Sequence, residues 1–457
     1  MADVTTVPDK PHVRGRAKLS PAMLLVIAVI IMAGVLFGYD QGVISGALAG
    51  IQKQFGLGSL LTEVVTSWVT LGALFGSLIG GELADRLGRK KAVLCAGVLF
   101  SLGAIVQSIA PDTTILVAGR LVIGLGVGVA AVAAPLYGAE MAPAAWRGRF
   151  VSAYQLAITI GIFLAYLIDQ LLAATDHWRL MLGIAAIPGL LLVIAMALAP
   201  ESARWLAKNG RGDAARRVLD RLDPDADNAP ALAAIESGLR SEVKSASWRD
   251  IFAPAWRKPL FVALGLAVFQ QITGINAIIY YADEIFARAG FATPEAQTMA
   301  TTWAIGAVNV LATFIAIALI DKLGRRPLLL TGLVGMGVSL GMVGIAMHAD
   351  MPGMVTLVAL VVFIISFAFS LGPVVWTVIN EIFPGAIRGR AVAVATAVNW
   401  ASAFLVSQFF LSLVGLIGEA ITFWLFSFFC AVAFVWIYAR VPETKGRSLE
   451  DIEQLWR

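Results

Sequence analysis

Charge is scarce in this chain. Only 14% of its 457 residues are Asp, Glu, Lys or Arg, against about 25% in an ordinary soluble protein. A soluble chain of this length would divide into roughly three domains, each needing a solvated surface. Too little charge is present to supply those surfaces. Two cysteines, Cys95 and Cys430, lie far apart inside apolar stretches, which excludes a disulfide framework or a cysteine metal site. The three histidines, His12, His177 and His348, stand apart from one another near loops or the terminus and form no metal or catalytic cluster. No Walker sequence is present. Gly124-Leu-Gly126-Val-Gly128 follows no strand, has the wrong spacing for a dinucleotide loop and lies in an apolar run. Soluble catalysis, nucleic-acid binding and ATP-driven chemistry are excluded, and neither cofactor nor metal is expected.

What the chain has is apolar surface: 59% of its residues, for a mean hydropathy of +0.83. Apolar runs fall at about 20–50, 63–84, 92–110, 114–138, 150–172 and 180–200, then at about 258–289, 298–320, 328–348, 354–382, 391–414 and 420–440. Each is near the roughly 20 residues that cross a bilayer as a helix. Gly and Ala run through them and no ten-residue alternation appears, so they read as helices and not as barrel strands. The first run lacks a cleavage site and continues past Tyr39-Asp40, which marks a retained span. Gly72, Gly76 and Gly80, and likewise Gly124 and Gly128, recur every four residues and permit close helix contact.

The sequence therefore predicts an all-α membrane protein of twelve helices. Residues 1–19 form a terminal segment, 20–200 a six-helix bundle, 201–257 a polar helical linker, 258–440 a second bundle and 441–457 a terminal helix. Thirty of the 34 Lys/Arg fall in the termini, the linker region and alternate loops, all on one side of this topology. Apart from Arg120 inside a span, only Lys53, Arg179 and Arg288 remain for the other side. Basic residues are retained on the cytoplasmic face, so both termini are expected inside the cell membrane.

The halves repeat. Asp85-Arg-Leu-Gly88-Arg89-Lys90 recurs as Asp321-Lys-Leu-Gly324-Arg325-Arg326, offset by 236. Glu140…Arg147-Gly-Arg149 recurs as Glu381…Arg388-Gly-Arg390, offset by 241, and Pro200-Glu201-Ser202 as Pro442-Glu443-Thr444, offset by 242. Two like bundles, the same way up with a site between them, are the architecture of a rocking carrier. With Pro-Glu-Ser-Ala-Arg-Trp-Leu after the sixth span and Pro-Glu-Thr-Lys-Gly-Arg-Ser-Leu-Glu-Asp-Ile-Glu at the end, these motifs resemble the sugar-porter family of the major facilitator superfamily, over about residues 24–456. The resemblance implies alternating access, a monosaccharide and a proton as co-substrates, a lipid bilayer as surroundings and a monomer.

Asp40 and Arg120 lie inside apolar spans. An ionisable group there costs at least about 2.5–3.5 kcal/mol at the bilayer centre, so it is paired, snorkelling or functional. Burial disfavours a carboxylate's charge and a nearby guanidinium favours it, so a change in their separation can load and release a proton. In the resemblance, the acid in span one marks proton symport and Arg120 is its partner.

Six amides lie in spans: Gln155, Gln270, Gln271, Asn276, Asn309 and Asn399. Each both donates and accepts hydrogen bonds, as sugar hydroxyls do, although amides also join helices to one another. Gln271 and Asn276 share a face only if the helix breaks, and Gly274 is the expected break. Gly372-Pro373 breaks span ten ahead of Trp376, whose ring can cover the apolar face of a pyranose. Tyr280 and Tyr281 match the family's outer gate, and Phe37 and Phe367 are weaker candidates. At the helix ends stand Glu82, Asp85, Arg86, Arg89, Glu140, Arg147 and Glu201 in the first half, and Asp321, Arg325, Arg326, Glu381, Arg388 and Glu443 in the second. These are either solvated loops or, as in the family, a cytoplasmic gate of ion pairs, each contributing about 0–1 kcal/mol and so breakable. Asn399 matches the facilitative glucose carriers, where the xylose/proton symporter has Gln, which favours a hexose. A uniporter with the same site, or a symporter for a pentose or polyol, fits the same residues.

Overall fold

The computed structural model describes residues 20–143, 146–175, 177–241, 250–383 and 385–445. Twelve helices are long and apolar enough to cross a membrane. Spans one to six are Pro21–Phe55, Ser59–Leu87, Arg89–Ser108, Thr113–Met141, Ser152–Thr175 and Trp178–Leu198. Spans seven to twelve are Pro254–Tyr280, Pro294–Ala318, Arg325–His348, Gly353–Glu381, Ile387–Ile417 and Glu419–Arg440. Among the described residues the remaining regular structure is also helical.

Span one outruns its apolar core. Its 35 residues reach about 50 Å at 1.5 Å per residue, beyond the roughly 30 Å of hydrocarbon. Ser20 caps its start by accepting the Met23 N–H, with Pro21 in the first turn, and Gly56 ends it at φ 63°.

Within the first half, span one packs on span five and span four on spans two and three; within the second, span nine packs on spans ten and twelve. The glycine rows form the seam between spans two and four. A Cβ at Gly124 would lie 2.1 Å from the Val69 carbonyl oxygen, and one at Gly72 2.3 Å from that of Leu121. The two backbones touch directly, which only a missing side chain allows.

The breaks within spans also have local causes. Pro188 has no N–H for the Ile184 carbonyl, and span six divides at Ala185. Pro373 likewise has none for Phe369, and span ten divides at Ser370. Span seven stops at Ile272 and resumes at Ile275, with Gly274 between them at φ 94°. Span eight contains a π-helical turn, Thr301–Ala307, that no residue pattern announced.

The linker contributes helices Ala203–Lys208, Gly212–Leu222 and Ala229–Ser241. Ala215, Val218 and Leu222 turn inward, and the Ser20 hydroxyl donates to the Leu222 carbonyl at 2.8 Å, tying the linker to the start of span one. The face carrying the linker is called the linker face below, and the opposite one the far face. Residues 1–19 and 446–457, which include most of the expected terminal helix, lie outside the described residues.

The two halves meet where span two packs on span eleven, span five on span eight, and the continuation of span seven on span one. Hydrogen bonds cross this seam near the far face. Glu63 accepts from the Ser412 N–H and hydroxyl, and Ser67 donates to Gln408 at 2.7 Å. Tyr166 donates to the Ile279 carbonyl at 2.8 Å, and Thr302 to the Tyr166 carbonyl at 2.9 Å.

Candidate substrate and proton site

Arg120 is wholly buried and Asp40 is 2% exposed. The guanidinium donates to Asp40 Oδ1 at 2.8 Å, to the Val65 carbonyl at 3.1 Å and to the Thr66 carbonyl at 3.2 Å. One side chain from span four thus joins spans one and two. The carbonyls and the carboxylate satisfy the cation, as a charge away from water requires.

The amides gather in the second half. Gln271 Nε2 donates to Asn399 Oδ1 at 3.2 Å, and Asn399 Nδ2 to Gln270 Oε1 at 2.8 Å. Gln270 Nε2 donates to the Leu371 carbonyl at 2.7 Å and the Gly372 carbonyl at 3.3 Å, at the break in span ten. Asn276 Nδ2 donates to Gln271 Oε1 at 2.8 Å, a contact that exists because the helix turns at Gly274. Spans seven, ten and eleven therefore share one amide network. Asn309 is buried apart from it. Gln155 and Trp376 are half-buried, on span five and on the second segment of span ten. Trp400, beside Asn399, sets its ring 5.4 Å from that of Phe37 across the two halves.

The short helix Ile275–Tyr280 connects the two clusters. Asn276 stands at one end in the amide network. Tyr280, at the other, lies close to Gln41 and within electrostatic reach of Asp40 and Arg120. Tyr281 donates to the Ser407 carbonyl at 2.8 Å, holding that helix to span eleven.

On the linker face, the second half reproduces the main contacts of the first. Arg89 meets Glu140 at 2.8 Å and Asp85 at 3.0 Å, and Arg325 meets Glu381 at 2.9 Å. Ser202 and Thr444 donate their hydroxyls to Glu140 and Glu381. Glu201 accepts the Lys90 N–H, and Glu443 the Arg325 and Arg326 N–H groups, so each carboxylate caps the start of a span. Gly88 and Gly324 leave the room, since a Cβ there would stand 2.2 Å from Glu201 and 2.8 Å from Glu443. Burial alone would raise the Glu443 carboxyl, but the N–H groups of Lys445, Arg325, Arg326 and Thr444 hold it below its usual range.

Glu140 and Glu381 each pair with the arginine at the start of span three or nine, inside their own half. Arg388 donates to the Phe383 carbonyl at 3.0 Å. Arg326 donates to the Tyr438 carbonyl and lies over that ring. Glu82 and Arg86 pair on one exposed helix turn. The side chains of Arg147 and Asp321 lie outside the described residues.

Three carboxylates escaped the sequence reading. Glu63 is 0% exposed, Asp169 1% and Asp283 8%. All three lie near span ends, where acidic residues ordinarily belong to loops. Only long-range packing reveals their burial.

The family model described as "Sugar (and other) transporter" matches residues 26–456. The galactose-proton symporter of Escherichia coli K12 is 39% identical over 97% of each chain. Among solved structures, the proton:xylose symporter XylE bound to 6-bromo-6-deoxy-D-glucose superposes with a TM-score of 0.81 at 31% identity, covering 95% of this chain and 99% of that one. The inward open conformation of XylE from E. coli gives 0.82 at 30% identity over 94% and 99%. This chain belongs to the sugar porter family of the major facilitator superfamily, and it is a multi-pass membrane protein of the major facilitator fold.

Proposed function

We propose that this protein carries a monosaccharide, a hexose by preference, across the cell membrane together with a proton. The linker face is cytoplasmic on this reading, as the 30 basic residues that the sequence assigns to that side of the topology favour. The far face is then outside, and the described state is closed to the outside. The observation that carries the reading is the buried Asp40–Arg120 pair, joined through one short helix to a network of uncharged amides.

Protonation of Asp40 removes the charge that holds Arg120 and loosens the tie among spans one, two and four. A sugar between Gln155 and Trp376 exchanges amide–amide hydrogen bonds for amide–hydroxyl ones and bridges the halves. Each ligand favours the same closure, so each strengthens the other's binding by an equal factor. Asp40 is the proton carrier and Arg120 its modulator. Gln155, Gln270, Gln271, Asn276, Asn309, Trp376 and Asn399 hold the sugar, with Gly372 opening span ten and Tyr280 closing the outer side. The asparagine at 399 is one methylene shorter than glutamine, leaving space for a hexose's extra carbon. The glutamate–arginine clusters of the linker face steady the helix ends that part and rejoin as the halves rock.

Proteoliposomes given an inward proton gradient and a panel of hexoses, pentoses and polyols test this. The expected result is accumulation of a hexose above its external concentration, with alkalinisation outside. Equilibration without accumulation or proton movement would make the protein a uniporter.

A further inference from the structure

Asp169 and Asp283 sit in the far-face seam on opposite halves, and the function proposed above gives neither a task. Asp169 Oδ2 accepts the Gly46 N–H of span one at 3.2 Å. Its Oδ1 is buried with no hydrogen-bond partner among the described residues. Gly46 is shaped around this carboxyl, since a Cβ there would lie 2.5 Å from Asp169 Cβ and 2.6 Å from its Cγ. Asp283 accepts the Thr301 hydroxyl, from the π-helical turn of span eight, and its backbone N–H donates to Ser45 Oγ at 3.1 Å. Asp169 and Asp283 thus meet consecutive residues of span one, Gly46 and Ser45.

Other ionisable groups near them are few. Span one presents Tyr39 to Asp169, and Tyr166 of span five faces both carboxyls. Span eight presents Thr301, a hydroxyl. Among the described residues no lysine or arginine pairs with either acid. Arg288, five residues beyond Asp283, is bound to Glu284 and Glu419, and Arg179 to Gln54 and the Ala110 carbonyl. Two carboxylates buried together without a cation cannot both carry charge, and the tyrosines offer no positive charge to offset them.

We infer that Asp169 and Asp283 hold a proton between them when the far-face seam is shut, forming a proton site separate from Asp40. One carboxylate takes a proton from the outer solution as the seam closes, becoming a neutral carboxylic acid, and returns it when the seam opens and water reaches the pair. The closed state binds the extra proton, so acid favours closure and alkali favours opening. The inference rests on the alternating access of the proposed function but not on proton transport by Asp40.

Spin labels at Thr114→Cys and Met351→Cys, on exposed outer residues of the two halves, in a Cys95→Ser, Cys430→Ser background in nanodiscs, read the outer separation by double electron–electron resonance. Acidification is expected to move wild-type distances toward the short population. Asp169→Asn with Asp283→Asn, which imitates the neutral form, should abolish that shift and leave the short population at every pH. Should the double variant not fold, Asp283→Asn alone decides by the same criterion. The same shift must survive in Asp40→Asn. A response that persists in the Asp169/Asp283 variant and vanishes in Asp40→Asn overturns the second site and leaves the symport mechanism standing. A wild-type distribution unmoved by pH overturns it as well.

Discussion

Glu63 in span two accepts both the backbone N–H and the hydroxyl of Ser412 in span eleven, at 2.6 Å each, across 349 residues of sequence. The carboxylate is fully buried, and no described cation pairs with it. Two short hydrogen bonds from one residue make this contact a clasp between the halves, reinforced by Ser67 and Gln408 next to it.

Removing one arm of the clasp should move the conformational equilibrium without harming the fold. Ser412→Ala deletes the hydroxyl donor and keeps the N–H. A hydrogen bond contributes about 0.5–1.5 kcal/mol net, so the closed-to-open ratio should fall by roughly 2- to 12-fold. The distance between outer spin labels on the two halves reports it. An unchanged distribution would mean that Glu63 is only packed there.

Asp40→Asn should separate coupling from binding. The asparagine Oδ1 still accepts from Arg120, whose other two donors keep the Val65 and Thr66 carbonyls. Sugar exchange should therefore persist while accumulation against a gradient is lost. Arg120→Ala is harsher, because it strands the Asp40 carboxylate and should lower stability by about 3–5 kcal/mol. Counterflow, gradient-driven uptake and thermal unfolding distinguish the two variants, and gradient-driven uptake by Asp40→Asn would end the proton-carrier assignment.

Gln271→Ala removes the acceptor of Asn276 and the donor to Asn399 together. Sugar affinity should fall by about 1–3 kcal/mol, roughly 5- to 150-fold, since buried polar partners are left unpaired. Asn309→Ala, outside the network, should weaken binding less. Equilibrium binding of the transported sugar to both variants checks the ranking.

The spans were legible because each is a long apolar run, and the linker-face clusters because each half repeats them. Arg89–Glu140 and Arg325–Glu381 are one contact made twice. The turn that brings Asn276 to Gln271 was legible too, since Gly274 is the residue that tolerates φ 94° there. Glu63, Asp169 and Asp283 were not. Their partners are Ser412, Gly46, Thr301 and Ser45, small or hydroxyl residues that carry no pattern, and all but Thr301 lie more than 100 residues away. The π-helical turn beside Asp283 is equally silent, because it is set by packing against span five.

The glycine seam admits a sharper test than deletion. Gly124→Ala drives a methyl to 2.1 Å from the Val69 carbonyl oxygen, a backbone atom that cannot rotate aside. Overpacking of this kind should cost about 1–3 kcal/mol. Gly81→Ala, whose methyl would come no closer than 4.0 Å to Val132, should be neutral or stabilising by up to about 1 kcal/mol through helix propensity. Thermal unfolding of the two variants in one detergent compares them directly, and equal losses would refute the direct backbone contact.

Glu443 gives the linker face a defined response to acid. Burial works against its charge, but the four backbone N–H groups around it prevail and hold the carboxyl below the ordinary glutamate range. A group so depressed contributes stability above its unfolded value and loses it as pH falls through the folded one. The cap on span nine should thus survive mild acid and fail only below the usual carboxylate range. Glu443→Gln should remove this pH dependence and accelerate hydrogen exchange at the Arg325 and Arg326 amides by about two- to fivefold at neutral pH, in keeping with about 0.3–1 kcal/mol for an anion at a helix start. Exchange followed by mass spectrometry, with the Lys90 amide above Glu201 as internal reference, measures both effects. Protection that is equal in the variant and the wild type would show that the cap holds those amides by shape alone.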